Sequence, residues 1–141
     1  EEYSRLVEGA WVHHRDGYYY MFYSGDNCCG DKANYAVMIA RSKNPLGPFE
    51  RLSEERKTKS SVILAKNKVW NAPGHNSIIS DDAGQDWIVY HAISLDSALS
   101  SKGRIMLIDR LQYKNGWPHI NTDSPSVGHL PVPIIKKNNS K

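Results

Sequence analysis

The sequence predicts an all-β fold of short antiparallel strands, arranged as a solenoid or as the blades of a propeller. Three observations carry this expectation. A turn glycine followed by an aromatic strand start recurs in Asp16-Gly17-Tyr18, in Gly84-Gln85-Asp86-Trp87 and in Asn115-Gly116-Trp117. Asp-Gly and Asn-Gly between β-prone runs are hairpin signals, because the tight turn they form needs positive φ at both central residues. The composition agrees: eight Tyr, four Trp and 40% hydrophobic residues suit pleated, half-buried surfaces and argue against disorder. A blade takes roughly 40 to 50 residues, so the chain holds about two to three blades, too few to close a ring.

Taken in order, residues 7–15 open the first strand and Asp16-Gly17 turns it into a second over residues 18–24. That second run is almost wholly aromatic or apolar, so both of its faces should be covered and it reads as a central strand. Residues 25–34 form a polar, glycine-punctuated loop, and residues 35–42 a third strand that completes a meander. The stretch 44–49 carries two prolines and a glycine, which remove donors and fix turns. Residues 50–60 are charged and lack an apolar stripe, so they read as a surface loop.

Residues 62–65 form a short strand. Pro73-Gly74 reads as a rigid turn that delivers His75 to a strand over residues 77–80, and residues 87–92 return the chain. A flexible small-residue loop over 94–103 leads to the longest expected strand, 104–113. Asn115-Gly116 then turns into a strand over residues 117–120. Residues 126–141 read as a loosely packed tail, with 1–141 as one partial β-propeller.

The net charge of +3 is spread along the chain. Its basic residues gather only at 51–59, interrupted by Glu54 and Glu55, and at Lys136, Lys137 and Lys141, as expected of a solvated loop and tail rather than a nucleic-acid surface. No glycine-rich phosphate loop opens a helix, and no apolar run approaches the roughly 18 residues of a membrane span. No signal peptide is visible, and a start at Glu1-Glu2-Tyr3 without Met fits a mature or truncated product. Cys28 and Cys29 are adjacent and cannot link distant segments, so two free thiols are expected.

Glu8 lies between Val7 and Gly9 with Trp11 and Val12 just beyond, an acid among strand-forming residues. A carboxyl withdrawn from water there could hold a proton near neutral pH and deliver it to a leaving group. A surface Glu at a strand end is the plain alternative. His75 reads either as a structural hydrogen-bonder or as a ligand, and Arg104 as a surface Arg or as a fork onto a sugar hydroxyl or carboxylate. Trp11 and Trp70 could stack on sugar faces or fill the core. His13, His14, His91, His119 and Asp26 show no local zinc spacing, and no Ser or Cys has a recognisable paired base.

These stretches, taken together and in order, resemble the C-terminal half of a glycoside hydrolase family 43 enzyme. The likeness runs through Val7-Glu8-Gly9, Asp16-Gly17-Tyr18, Tyr35-Ala36-Val37, Gly47-Pro48-Phe49, Pro73-Gly74-His75-Asn76-Ser77, Tyr90-His91, Gly103-Arg104 and Asn115-Gly116-Trp117-Pro118. It implies part of a five-bladed β-propeller hydrolase that cleaves arabinose- or xylose-containing plant polysaccharides with inversion. The Cys28-Cys29 pair leans toward arabinan-cleaving members. By position, Glu8 matches the general acid, Arg104 an arginine that contacts a sugar hydroxyl, and His75 a central histidine that in many members lies under the active site and helps to bind a calcium ion, often through water. Ala10 departs from the proline usual after Glu-Gly.

The general base and the carboxylate that orients the acid lie upstream of the Glu-Gly stretch in that family, and neither has a counterpart in this sequence. The expectation is therefore a chain that is inactive alone. The missing N-terminal blades, a second chain or another copy would cover its exposed edges. Carbohydrate is the expected substrate, with no nucleic-acid or membrane partner, and polymer substrates imply an extracellular setting. The competing expectation is a non-catalytic carbohydrate-binding or degenerate propeller module.

Overall fold

A computed structural model describes residues 2–100 and 102–136. The first sheet is antiparallel and ordered β1 (Val7–Arg15), β2 (Tyr18–Gly25), β3 (Ala36–Ser42), β4 (Glu50–Arg51), with β5 (Val62–Leu64) also on β3. The second is β6 (Trp70–Ser80), β7 (Asp86–Ser94) and β8 (Arg104–Arg110), and a hairpin joins β9 (Gln112–Lys114) to β10 (Trp117–His119). This is the all-β class expected, antiparallel strands forming part of a five-bladed β-propeller.

The turn chemistry is as the dipeptides require. Asp16 and Gly17 take φ of 49° and 78°, and Asn115 and Gly116 take 54° and 74°, the paired positive values of a twist-matched two-residue hairpin. β2 pairs with β1 on one side and β3 on the other, and both of its faces are covered. Tyr20 and Phe22 join Val37, Ile39, Ile78, Ile88, Leu111 and Trp117 in the main core. Tyr23 packs with Met38 and Ala40 on the opposite face, under Tyr3, Phe49 and Val62.

One buried carboxylate ties the sheets together. Asp86, at the start of β7, accepts hydrogen bonds from Ser80 at 2.5 Å and from Tyr113 of β9 at 2.8 Å. From β1, His13 lies 3.0 Å from it and Arg15 3.2 Å. Burial works to raise the Asp86 pKa, but the hydrogen bonds from Ser80, Tyr113 and His13 outweigh it and hold the carboxyl below its ordinary value.

The structure corrects several expectations. Residues 50–60 are not a plain loop: α1 (Leu52–Arg56) buries Leu52 and Ser53. A five-residue helix needs no stripe, because one leucine docks it and Glu54 reaches back to the Arg51 N–H at 2.8 Å. Pro73-Gly74 is not a turn but lies within the continuous β6. There the register with β7 shifts twice, with Ala72 and His75 at positive φ, and such bulges tolerate proline inside a strand. The run 104–113 is not one strand; it breaks at buried Leu111, whose N–H bonds the carbonyl of Asp86 where β7 begins.

Within 94–103, β7 extends to Ser94 and α2 (Ser97–Ser100) adds a helical turn. Cys28 and Cys29 are bonded to each other rather than free. Asn27 and Asn34 clamp the base of their loop, and the chain has no other cysteine to compete. In the tail, Ile134 and Lys136 donate backbone N–H bonds to Asp81 and Asp82. The expected looseness of residues 137–141 lies outside the described residues.

Candidate active site

The site forms where the start of β1 meets the bulged part of β6. Gly9 follows Glu8 at φ 60°, and the β1–β2 register shifts directly after Glu8. A β-carbon at Gly9 would stand 3.3 Å from the His75 ring, so the missing side chain lets the acid's backbone lie against the imidazole. The His75 N–H donates to Ser24 Oγ at 2.8 Å. That bond joins the second sheet to β2 directly opposite Glu8, which pairs with Ser24.

Tyr35 occupies the centre. It is 1% exposed, its ring lies against Gly74, and its hydroxyl donates to Glu8 Oε1 at 2.7 Å. Burial, then the hydrogen bond and charge of Glu8, push the phenol well above the usual tyrosine pKa, so it remains a donor. The Tyr35 ring stacks on His91 at 5.8 Å and 10°, and His91 faces His75 at 6.4 Å. Burial lowers the His91 pKa to about 4, helped by the positive charge of Arg104 and by His75 and opposed by Glu8. The imidazole is therefore neutral at physiological pH. Both of its ring nitrogens and both amide atoms of buried Asn76 lack a hydrogen-bond partner among the described residues.

His75, Ser77, His91, Arg104 and Met106 line an open cavity of 540 Å³. Arg104 is exposed at its rim, and its charge acts on both Tyr35 and His91. The structure thus gathers Glu8, His75 and Arg104 into one neighbourhood. Trp11 stands further along β1, 40% exposed and paired with Phe22 beyond the bulge. Trp70 is not brought to this neighbourhood: it packs against the main core and lines a separate groove with residues 126–133.

The expectation of a Glu8 carboxyl withdrawn from water is corrected, because the residue is exposed. β1 is the outer strand of its sheet and most of its residues face solvent. Sequence reasoning also gave no part to Tyr35, Ser24 or Asn76. The partners of Tyr35 and Ser24 stand far away in sequence, 27 residues for Tyr35 and Glu8 and 51 for Ser24 and His75, so no local spacing could signal them. The adjacent motifs Tyr35-Ala36 and Tyr90-His91 were the available hints.

Calcium takes six to eight oxygen ligands, whereas His75 and His91 offer nitrogens. Among the described residues no three His, Cys, Asp or Glu side chains converge on a metal position. The described side chains therefore form no calcium cage by themselves.

Comparison with known proteins bears on this geometry. The model of Glycosyl hydrolases family 43 matches residues 2–118. The chain is 30% identical over 122 residues to an extracellular exo-α-(1→5)-L-arabinofuranosidase, ArbA, of Cellvibrio japonicus, covering 84% of this chain and 34% of that protein. It is 32% identical over 108 residues to the β-D-galactofuranosidase xynD of Aspergillus niger, covering 76% and 29%. The α-L-arabinanase of Cellvibrio cellulosa, solved with arabinohexaose, superposes with a TM-score of 0.71 at 28% identity over 82% of this chain and 36% of that one. The chain spans roughly a third of the length of these relatives.

Proposed function

The chain belongs to glycosyl hydrolase family 43, and on that premise we propose that it supplies the acid-bearing part of an inverting glycosidase for arabinose- or xylose-containing polysaccharides. The observation that carries the reading is the placement of Glu8, held through Oε1 by Tyr35 beside a cavity bordered by His75 and Arg104. In this reading protonated Glu8 gives its proton to the glycosidic oxygen as the bond to the anomeric carbon breaks. Arg104 forks onto a sugar hydroxyl. Trp11, half-exposed beyond the bulge on the same strand as the acid, offers an indole face on which a sugar ring stacks.

Inversion requires a second carboxylate about 6.5–9.5 Å from the acid, with the attacking water between them. That base, and the carboxylate that orients Glu8, come from blades outside this chain. Two flanks support incompleteness. Val7 and Val12 on β1 are 54% and 50% exposed, and Met106 on β8 is 76% exposed, apolar surface of the kind that neighbouring elements cover. No step is assigned to calcium.

The test is proton NMR of the first sugar released when the protein that carries this chain with the remaining blades acts on arabino- and xylo-oligosaccharides. Release of the inverted anomer, with no release by the isolated 141-residue chain, is the expected result. The retained anomer, or turnover by the isolated chain, contradicts the reading. Binding without turnover in the completed protein identifies a carbohydrate-binding module instead.

A further inference from the structure

We propose that Tyr35 is a positioning residue that reserves Oε1 of Glu8 as a hydrogen-bond acceptor and so leaves the catalytic proton on Oε2. The inference rests on the reading of Glu8 as general acid. It starts from two hydrogen bonds that meet around Tyr35, one from the His75 backbone to Ser24 and one from Tyr35 to Glu8. The His75 backbone N–H, which can only donate, gives its proton to Ser24 Oγ at 2.8 Å. The Ser24 hydroxyl keeps its own proton to give, and its influence on the Tyr35 phenol works to lower that pKa, as a donor near the phenol oxygen does. The Tyr35 hydroxyl then donates to Glu8 Oε1 at 2.7 Å.

Each hydroxyl has one proton to give. The Tyr35 phenol, raised above its ordinary pKa, keeps its proton and gives it to Glu8 Oε1. Tyr35 has no alternative orientation of comparable quality: its ring is buried against Gly74, where even a β-carbon would overlap it, and is stacked on His91. The neutral state of the buried His91 ring keeps a second positive charge away from the phenol.

The consequence concerns one proton on one atom. An oxygen that accepts a short hydrogen bond from a fixed phenol is a poor place for the proton of a protonated carboxyl, so that proton occupies Oε2. In the reaction the Oε2 proton passes to the glycosidic oxygen and the C–O bond to the leaving group breaks with both electrons on that oxygen. Water adds to the anomeric carbon and gives its own proton to the carboxylate base of the remaining blades. Glu8 is left as a carboxylate, still held by Tyr35 at Oε1, and the phenol never transfers its proton.

A group that only orients the acid matters in proportion to the leaving group's need for protonation. The test compares Tyr35→Phe, Ser24→Ala and Glu8→Gln in the completed protein on two aryl pentosides. One leaving group is a dinitrophenol, which departs unprotonated, and the other a weakly acidic phenol. Tyr35→Phe is expected to lower kcat about 10-fold on the weakly acidic substrate and less than about 2-fold on the dinitrophenyl one, with KM unchanged. Ser24→Ala, which keeps the Tyr35 ring and its packing, should show the same leaving-group dependence at smaller size.

Equal losses on both substrates for Tyr35→Phe, or no loss on either, overturn the proposal. The Glu8→Gln arm separates the two ideas. If that variant discriminates between leaving groups and Tyr35→Phe does not, only the role of Tyr35 fails. If Glu8→Gln itself loses both substrates equally, the reading of Glu8 as the acid has failed.

Discussion

The Tyr35 hydroxyl and Oε1 of Glu8 lie 2.7 Å apart, a contact between residues 27 apart in sequence, Glu8 on β1 and Tyr35 directly before β3. Burial is the first cause of the raised Tyr35 pKa, but the Glu8 hydrogen bond and charge add to it. Glu8→Gln leaves the burial and removes the charge, so the Tyr35 phenol should ionise at lower pH in that variant than in wild type. Carbon-13 NMR of the tyrosine ζ-carbons during alkaline titration measures this. An unmoved Tyr35 titration would mean that the pair does not interact in solution.

His91 should stay neutral well below the pH at which an ordinary histidine protonates. Its folded pKa of about 4 lies under the ordinary 6.5, first because of burial and then because of Arg104. A histidine depressed in this way binds fewer protons folded than unfolded, so stability falls as the pH drops from about 6.5 toward 4. Imidazole NMR shifts followed from pH 8 to 3.5 should show one ring that does not move until the acid end. A His91 midpoint near 6.5 would contradict the buried, stacked placement.

The carboxylates push acid sensitivity further down the pH scale. Asp81 is lowered to about 2: desolvation opposes the shift, but bonds from the Ile134 N–H, the Trp87 indole and the Gln85 and Ala83 N–H groups overcome it. Asp86 is lowered in the same direction. A carboxyl depressed on folding contributes stability above its unfolded value of 3.8, and that contribution is lost as the pH falls through the folded value. Urea midpoints should therefore drop continuously between pH 4 and pH 2. Asp86→Asn should flatten part of that drop, and an unchanged slope in the variant would remove Asp86 from the account.

Gly74→Ala should destabilise the fold by about 1–3 kcal/mol or more, since an added methyl must displace a buried ring. Its β-carbon would lie 2.1 Å from the Tyr35 ring, whereas one at Gly84 would meet nothing within 4 Å. Gly84→Ala therefore pays only for its positive φ, about 1–2 kcal/mol. Urea denaturation of both variants compares them, and the Gly74 variant should also weaken the grip of Tyr35 on Glu8. Equal midpoints for Gly74→Ala and wild type would show that the ring does not sit against that backbone.

Much of this architecture was legible because hairpins are local. Asp16-Gly17 and Asn115-Gly116 each specify a turn by the φ values that two residues must adopt, and the aromatic run from Tyr18 to Tyr23 declares a strand covered on both faces. β6 was misread because proline and glycine are the usual marks of a turn. Only pairing with β7 on either side of the bulges reveals a continuous strand. The site divided in the same way. Glu8, His75 and Arg104 stood in recognisable motifs, whereas Tyr35 and Ser24 act across the fold and Glu8's exposure depends on what lies beside β1.

The most direct measurement of the central claim is the turnover and binding of oligosaccharide by Glu8→Gln in the protein that carries this chain with the remaining blades. Loss of the acid should lower kcat by about 100-fold or more while calorimetry finds oligosaccharide bound about as tightly as by wild type. Turnover within about 2-fold of wild type would contradict the assignment of Glu8 as the general acid.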